Sequence, residues 1–240
     1  MSSFPAPAMY QLDQVDFYDH VRGHKYRRGG LMQFTETVIR QDPWDVEPRL
    51  KELGLTASGL CRVRDVAQMA RSNMTANHAN NAPGTYAYQD GTWCLRDEFI
   101  GELWKKETPG GVQAIVNYLA KARIAFANVD RACDVNHNPV SISSKGSGAE
   151  RLCETNLFER LPTFTREQAG SGFQLFYCMV DADGRVELSR PTIVGRAFGP
   201  CVERNFIALG GDDDTGTRIS ITPLDDTAVD LTPIITRKAA

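Results

Sequence analysis

Apolar side chains recur in two different rhythms along the chain, and the change from one to the other suggests how the fold is laid out. Leu60, Val63, Ala67 and Ala70 fall three or four residues apart, with Val66 and Met69 beside them, which predicts a helix over residues 60–72. Leu95, Phe99, Leu103 and Trp104 form the apolar side of a second amphipathic helix over 95–106. The mixed steps of Val112, Ile115, Val116, Leu119, Ala122, Ile124, Phe126 and Val129 predict a long helix over 112–133. Its second half, 123–129, alternates almost as well and also fits a buried strand. Shorter helices are expected over 31–40, over 43–53 between Asp42-Pro43 and Gly54, and over 149–160.

Beyond Pro162 the period becomes two. Residues 173–180 are apolar on both faces, as a central strand requires, and Asp181-Ala-Asp-Gly184 is a hairpin turn into a strand over 185–190. Further strands are expected over 191–194, 201–209 and 218–222, while Asn, Ser, Gly and Pro make 74–84 and 134–148 loops. The fold class expected is therefore α+β: a helical N-terminal two thirds packed with an antiparallel β-sheet formed mainly by the C-terminal third. The expectation is one domain over 1–240, with a mainly helical part to 160 and a mainly β part after it.

Composition narrows the function classes without choosing one. With 240 residues, 42% hydrophobic and 24% charged, the chain has the make-up of an ordinary globular protein, which excludes a disordered tail or a fibrous repeat. A net charge of -3 argues against coating nucleic acid by bulk electrostatics. Positive charge is concentrated locally, however: Arg22, Lys25, Arg27 and Arg28 fall in one short segment, whereas the chain beyond Asn205 is acidic. Six cysteines stand well apart with no Cys-x-x-Cys pair, which favours small buried hydrophobes in a reducing compartment over a zinc or dithiol site. With no signal-peptide pattern at the N-terminus and no long apolar run, a cytoplasmic protein without membrane contact is expected.

Three groups of residues carry candidate chemistry. In the Gly-rich segment around Arg22, Lys25, Tyr26, Arg27 and Arg28, the cations suit phosphate oxygens and the tyrosine suits a base; a solvated, salt-bridged loop is the plainer alternative. Lys145, Gly146 and Ser147 precede a helix, the local arrangement for an anion held by backbone N–H groups, although the lysine precedes its glycines and the order is not that of a Walker A loop. His78 lies in a loop crowded with amide side chains and, with Arg96 or Asp97, is a candidate for acid–base catalysis. His137, the acids Asp181, Asp183 and Glu187, and a helix-turn-helix outline through Arg62, Arg64 and Arg71 are weaker readings, each explained as well by turns and surface charge. No metal set and no cofactor motif accompanies them.

Thr75-Ala-Asn-His78, Ala82-Pro-Gly-Thr-Tyr-Ala-Tyr88, Leu95-Arg-Asp-Glu98 with Trp104, and Ser144-Lys-Gly146 together resemble a group of uncharacterised bacterial proteins found in phages and mobile elements. The resemblance spans residues 55–160 and implies a context rather than an activity. The leading expectation is a binding protein for a phosphate-bearing partner, nucleic acid or nucleotide, through Arg22–Arg28 and the Lys145 turn. An enzyme using His78 is the second, and a particle component or inhibitor acting through protein–protein contacts is the third.

Overall fold

The computed structural model describes residues 36–159 and 172–210, all within one compact unit. Seven strands, β1 (Val38–Arg40), β2 (Lys105–Glu107), β3 (Ala114–Asn117), β4 (Ala122–Asn128), β5 (Gln174–Val180), β6 (Val186–Val194) and β7 (Ala197–Ala208), form one sheet. Their order is β1-β7-β6-β5-β4-β3-β2. β1 with β7 and β4 with β5 run parallel, and the other neighbours run antiparallel. A parallel pair needs a crossover, and the connection from β4 to β5 contains helix α4 (Ser147–Glu159). Among the described residues no helix is long and apolar enough to cross a membrane.

The expected division into a helical two thirds and a C-terminal antiparallel sheet is overturned. The sheet is mixed, its strands are spread from Val38 to Ala208, and β4 on one side of residue 160 pairs with β5 on the other. The long helix expected over 112–133 is instead a hairpin, β3 followed by β4. Because β3 and β4 lie between helical layers, all of β3 and nearly all of β4 are buried, which removes the polar alternation that marks a strand. The turn between them is set by Asn117, whose Oδ1 accepts from the N–H groups of Leu119 and Ala120, and by Lys121 at φ +49°. The helix expected over 31–40 is at its described end strand β1, and the expected strands 191–194 and 201–209 fall in β6 and β7. The strand expected over 218–222 lies outside the described residues.

One face of the sheet is covered by α1 (Pro43–Leu53), α2 (Ala57–Ser72) and α3 (Ala82–Phe99). α1 has proline at its start and Gly54 at φ +74° as its stop. α3 begins well before residue 95 and ends at Phe99, where Ile100 turns extended and the chain carries buried Trp104 into β2. Leu50, Leu60, Val63 and Leu95 pack there against Ile124, Phe126, Phe176 and Leu188. Gly91 allows the close seat of α3 on the sheet, since a Cβ would stand 2.6 Å from the Phe126 ring. On the opposite face Ala149 and Cys153 of α4 pack with Ala125, Leu175, Tyr177 and Met179. The start of α4 is locked to the Pro109–Gly111 turn, because a Cβ on Gly148 would stand 1.9 Å from the carbonyl oxygen of Gly110.

Two ionic networks are buried with the sheet. Glu187 and Arg204, both essentially inaccessible, pair at 2.7 Å; Glu187 also accepts from the backbone N–H of Cys133 and from Ser189 Oγ, and Arg204 donates to the carbonyls of Asp134 and His137. Glu203 gathers Arg49 at 2.6 Å, Arg40 at 3.0 Å and Arg190 at 3.6 Å. Burial raises the Glu203 pKa, but the hydrogen bonds and charge of Arg49, helped by Asn205 and Arg190, hold it below the usual carboxylate value.

Gly148→Ala is expected to cost about 1–3 kcal/mol by overpacking, read as a lower urea midpoint, whereas Gly146→Ala, with open space around it, leaves the midpoint nearly unchanged. Glu187→Ala, which strands a buried guanidinium, is expected to cost about 3–5 kcal/mol and to speed amide exchange in 130–140.

Candidate functional site

β4 is longer than its partner β3. The ladder ends at Ala114 opposite Ala125, so Phe126, Ala127 and Asn128 run on beyond it. A pocket of about 280 Å³ opens there. Its walls are Tyr88 of α3, Ala125 to Asn128 of β4, Tyr177 of β5, Gly111 and Val112, and the approach to α4 from Ser143 to Gly146 with Ala149. The partial positive charge at the start of α4 therefore borders it.

Lys145 is the charged residue among these. Its backbone N–H donates to the Arg196 carbonyl at 2.7 Å, which fixes the turn. Its Nζ lies 4.6 Å from the Phe198 ring centroid and 5.3 Å from that of Tyr177, two rings that contact each other at 4.7 Å. No carboxylate lines the pocket, and no described acid forms an ion pair with Lys145. Burial lowers its pKa to about 8, with the Cys153 sulfur acting weakly in the opposite direction.

Asn128 forms the facing wall. It is buried, its Nδ2 donates to the Gly84 carbonyl at 2.8 Å, and its Oδ1 accepts from Arg71 Nη2 at 3.1 Å. Arg71 keeps its Nε without a hydrogen-bond partner. A second cation thus stands directly behind the pocket wall. Tyr88, partly exposed, contacts Phe126 with centroids 6.3 Å apart and supplies a phenol at the rim.

Of the residues expected from sequence, Lys145 and Gly146 line this pocket, while Ser147 opens α4 exposed to solvent. His78 is exposed in the loop before α3, its Nδ1 accepting from the Thr75 N–H at 3.0 Å. Arg96 and Asp97 belong to the last turn of α3. With 1.5 Å of rise per residue, the stretch of α3 from Ala82 to Arg96 puts roughly 20 Å between them and the His78 loop. The fold does not bring these three together as an acid–base group. Arg96 Nη2 donates to Gln113, and Asp97 lies 3.9 Å from Arg62. Arg22, Lys25, Tyr26, Arg27 and Arg28 lie outside the described residues.

The weaker readings resolve into structure. His137 pairs with Asp130 at 2.9 Å within its own loop. Asp181 accepts from the N–H groups of Asp183 and Arg185, holding its hairpin, and Glu187 is committed to Arg204. Arg62 and Arg64 are engaged with Glu98 and Asp65. Among the described residues no cluster of three or more His, Cys, Asp or Glu is placed to hold a metal ion, and Cys94, Cys133, Cys153 and Cys178 are free thiols.

Sequence reasoning missed Asn128 and Tyr177 as members of the site, while Ser143 and Ser144 belong to the segment it singled out around Lys145. One signal was present: Asn128 is a polar residue closing the apolar run of β4. Tyr177 carries no such signal, because its neighbours in β5 are uniformly apolar. Compared with known proteins, the chain matches no family, no curated protein and no solved structure, so the geometry of the pocket carries the functional argument.

Proposed function

We propose that this protein binds a small phosphate-bearing ligand, a nucleotide or a phosphate ester of similar size, in the Lys145 pocket. The observation that carries the reading is a lysine ammonium in a pocket that contains no carboxylate. Desolvating a cation without a counter-charge is costly, and an incoming anion removes the cost. Two of the more deeply placed ion pairs show the usual arrangement, Arg204 with Glu187 and Arg49 with Glu203. Lys145 would take the phosphate, with the charge of Arg71 behind Asn128 adding to the attraction, while the apolar wall of Val112, Ala125, Phe126 and Tyr88 would accommodate a base or other flat group.

The segment Arg22–Arg28 would add contacts to a longer, nucleic-acid ligand. A phage or mobile-element setting is part of the same proposal and rests on the sequence resemblance of residues 55–160 alone, while the thiols of Cys94, Cys133, Cys153 and Cys178 suit a cytoplasmic one. The catalytic grouping of His78 with Arg96 and Asp97 has no support in the geometry.

Titration of the whole chain with inorganic phosphate and with a panel of nucleotides by calorimetry tests the reading. Lys145→Met is expected to weaken binding about 10- to 100-fold, the worth of one charge-assisted hydrogen bond; an unchanged affinity would reject it. Only the protonated ammonium attracts the anion, so affinity is full below pH of about 8 and falls by about tenfold per pH unit as the amine deprotonates above it. If single-stranded nucleic acid is the ligand, changing Arg27 and Arg28 to Ala should also flatten the dependence of its affinity on salt. A flattened slope with unchanged mononucleotide affinity would identify the segment as the polymer contact.

A further inference from the structure

Anion binding uses the charge of Lys145 and leaves its nitrogen chemistry unused. Most lysines in a protein are kept from acting as nucleophiles by staying protonated in water or by pairing with an acid. Lys145 is only partly exposed to water and pairs with no acid among the described residues. Its Nζ stands against two aromatic rings, with no carboxylate lining its pocket. The pocket that Lys145 lines is bordered by the small residues Ala125, Ala127, Gly146 and Ala149, which leave room for a small carbonyl compound. Ser143, Ser144, Tyr88 and Asn128 border the same space and offer hydroxyl and amide groups for a developing alkoxide.

We propose that Lys145 is a carbonyl-capturing residue whose Nζ forms a reversible imine with an aldehyde or ketone group on a small phosphate-bearing ligand of this pocket. The proposal builds on the anion-binding reading and adds a covalent step to it. The lone pair of the neutral amine forms a C–N bond to the carbonyl carbon while the π pair of C=O moves to oxygen. That oxygen gains a proton and the nitrogen loses one, giving a carbinolamine. Loss of hydroxide with a second proton, as water, forms the C=N bond. No electrons are gained or lost by the pair, so no oxidant or reductant is needed. The lowered pKa of about 8 leaves a useful fraction of neutral amine near neutrality, where an exposed lysine has almost none.

The whole chain, incubated near neutral pH with glycolaldehyde phosphate or with glycolaldehyde in the presence of sodium cyanoborohydride, reports the step directly. The reductant delivers hydride to the imine carbon and leaves a stable secondary amine. Peptide mapping by mass spectrometry then locates an increase equal to the aldehyde less one oxygen. Lys145 is expected to be modified at least about tenfold faster than the exposed Lys105 and Lys106. That preference should vanish in chain unfolded with guanidinium chloride, and Lys145→Arg should remove the modified site while keeping the charge. Modification of Lys145 no faster than Lys105 and Lys106 in the folded chain overturns the proposal, even where phosphate binding is intact. Preferential modification by both aldehydes alike, without protection by inorganic phosphate, supports the capture step and removes the anion-binding reading instead.

Discussion

The pair of Glu187 and Arg204 is the constraint on which the placement of the site depends. Both side chains are removed from water, a cost that their mutual attraction repays only when every remaining donor and acceptor is satisfied. Here they are satisfied by the chain that must be positioned. One carboxylate oxygen takes the Cys133 N–H, and Arg204 Nη1 takes the carbonyls of Asp134 and His137. An ion pair between two adjacent strands thereby fastens the long excursion from β4 to α4. Asp181 adds a second fastening at the Ala132 N–H, and the bridge between Val129 and Ser141 closes the loop. Lys145 follows four residues later, tied to Arg196 at the β6–β7 turn and to the Gly110–Gly148 contact through α4.

The second network is anchored on the same strand pair, at the residue of β7 next to Arg204. Arg40 of β1, Arg49 of α1 and Arg190 of β6 meet on Glu203 of β7, so the edge strand and the first helix are held by one carboxylate. Asn156 reaches from α4 to the carbonyls of Leu175 and Pro191, where β6 departs from regular pairing, and accepts from Arg190. The charges of these two networks are thus matched with hydrogen-bond partners. Against that background a lysine facing two aromatic rings and no acid stands out, because the departure lies in a pocket and not in the packed interior.

How much of the site could be read from the sequence follows from which of its parts are local. That Lys145 and Gly146 lead into a helix was legible because a turn before a helix is a feature of adjacent residues. Asn128, Tyr88 and Tyr177 join it from β4, α3 and β5, and apart from the polar end that Asn128 gives an apolar run nothing in their separate neighbourhoods marks them as partners. The grouping of His78 with Arg96 and Asp97 failed for the complementary reason. Each belongs to the same stretch of sequence, but an 18-residue helix separates by its length what the sequence sets close.

The fold divides the same way. Short-range chemistry alone determined α2, the stop of α1 at Gly54, the turn at Asp181 to Gly184 and the strand β5, since spacing, caps and turn residues act over a few positions. Only the tertiary structure decided that 114–128 is a hairpin and that β1 and β2 are strands. A segment buried on both faces has no polar alternation to show its period, and a three-residue edge strand is defined by the ladder it joins. The decision was made where β4 found β5 in parallel across α4, because that pairing draws strands from both ends of the chain into one sheet. The strand β4 then extends past β3, which leaves the gap that Lys145 overlooks.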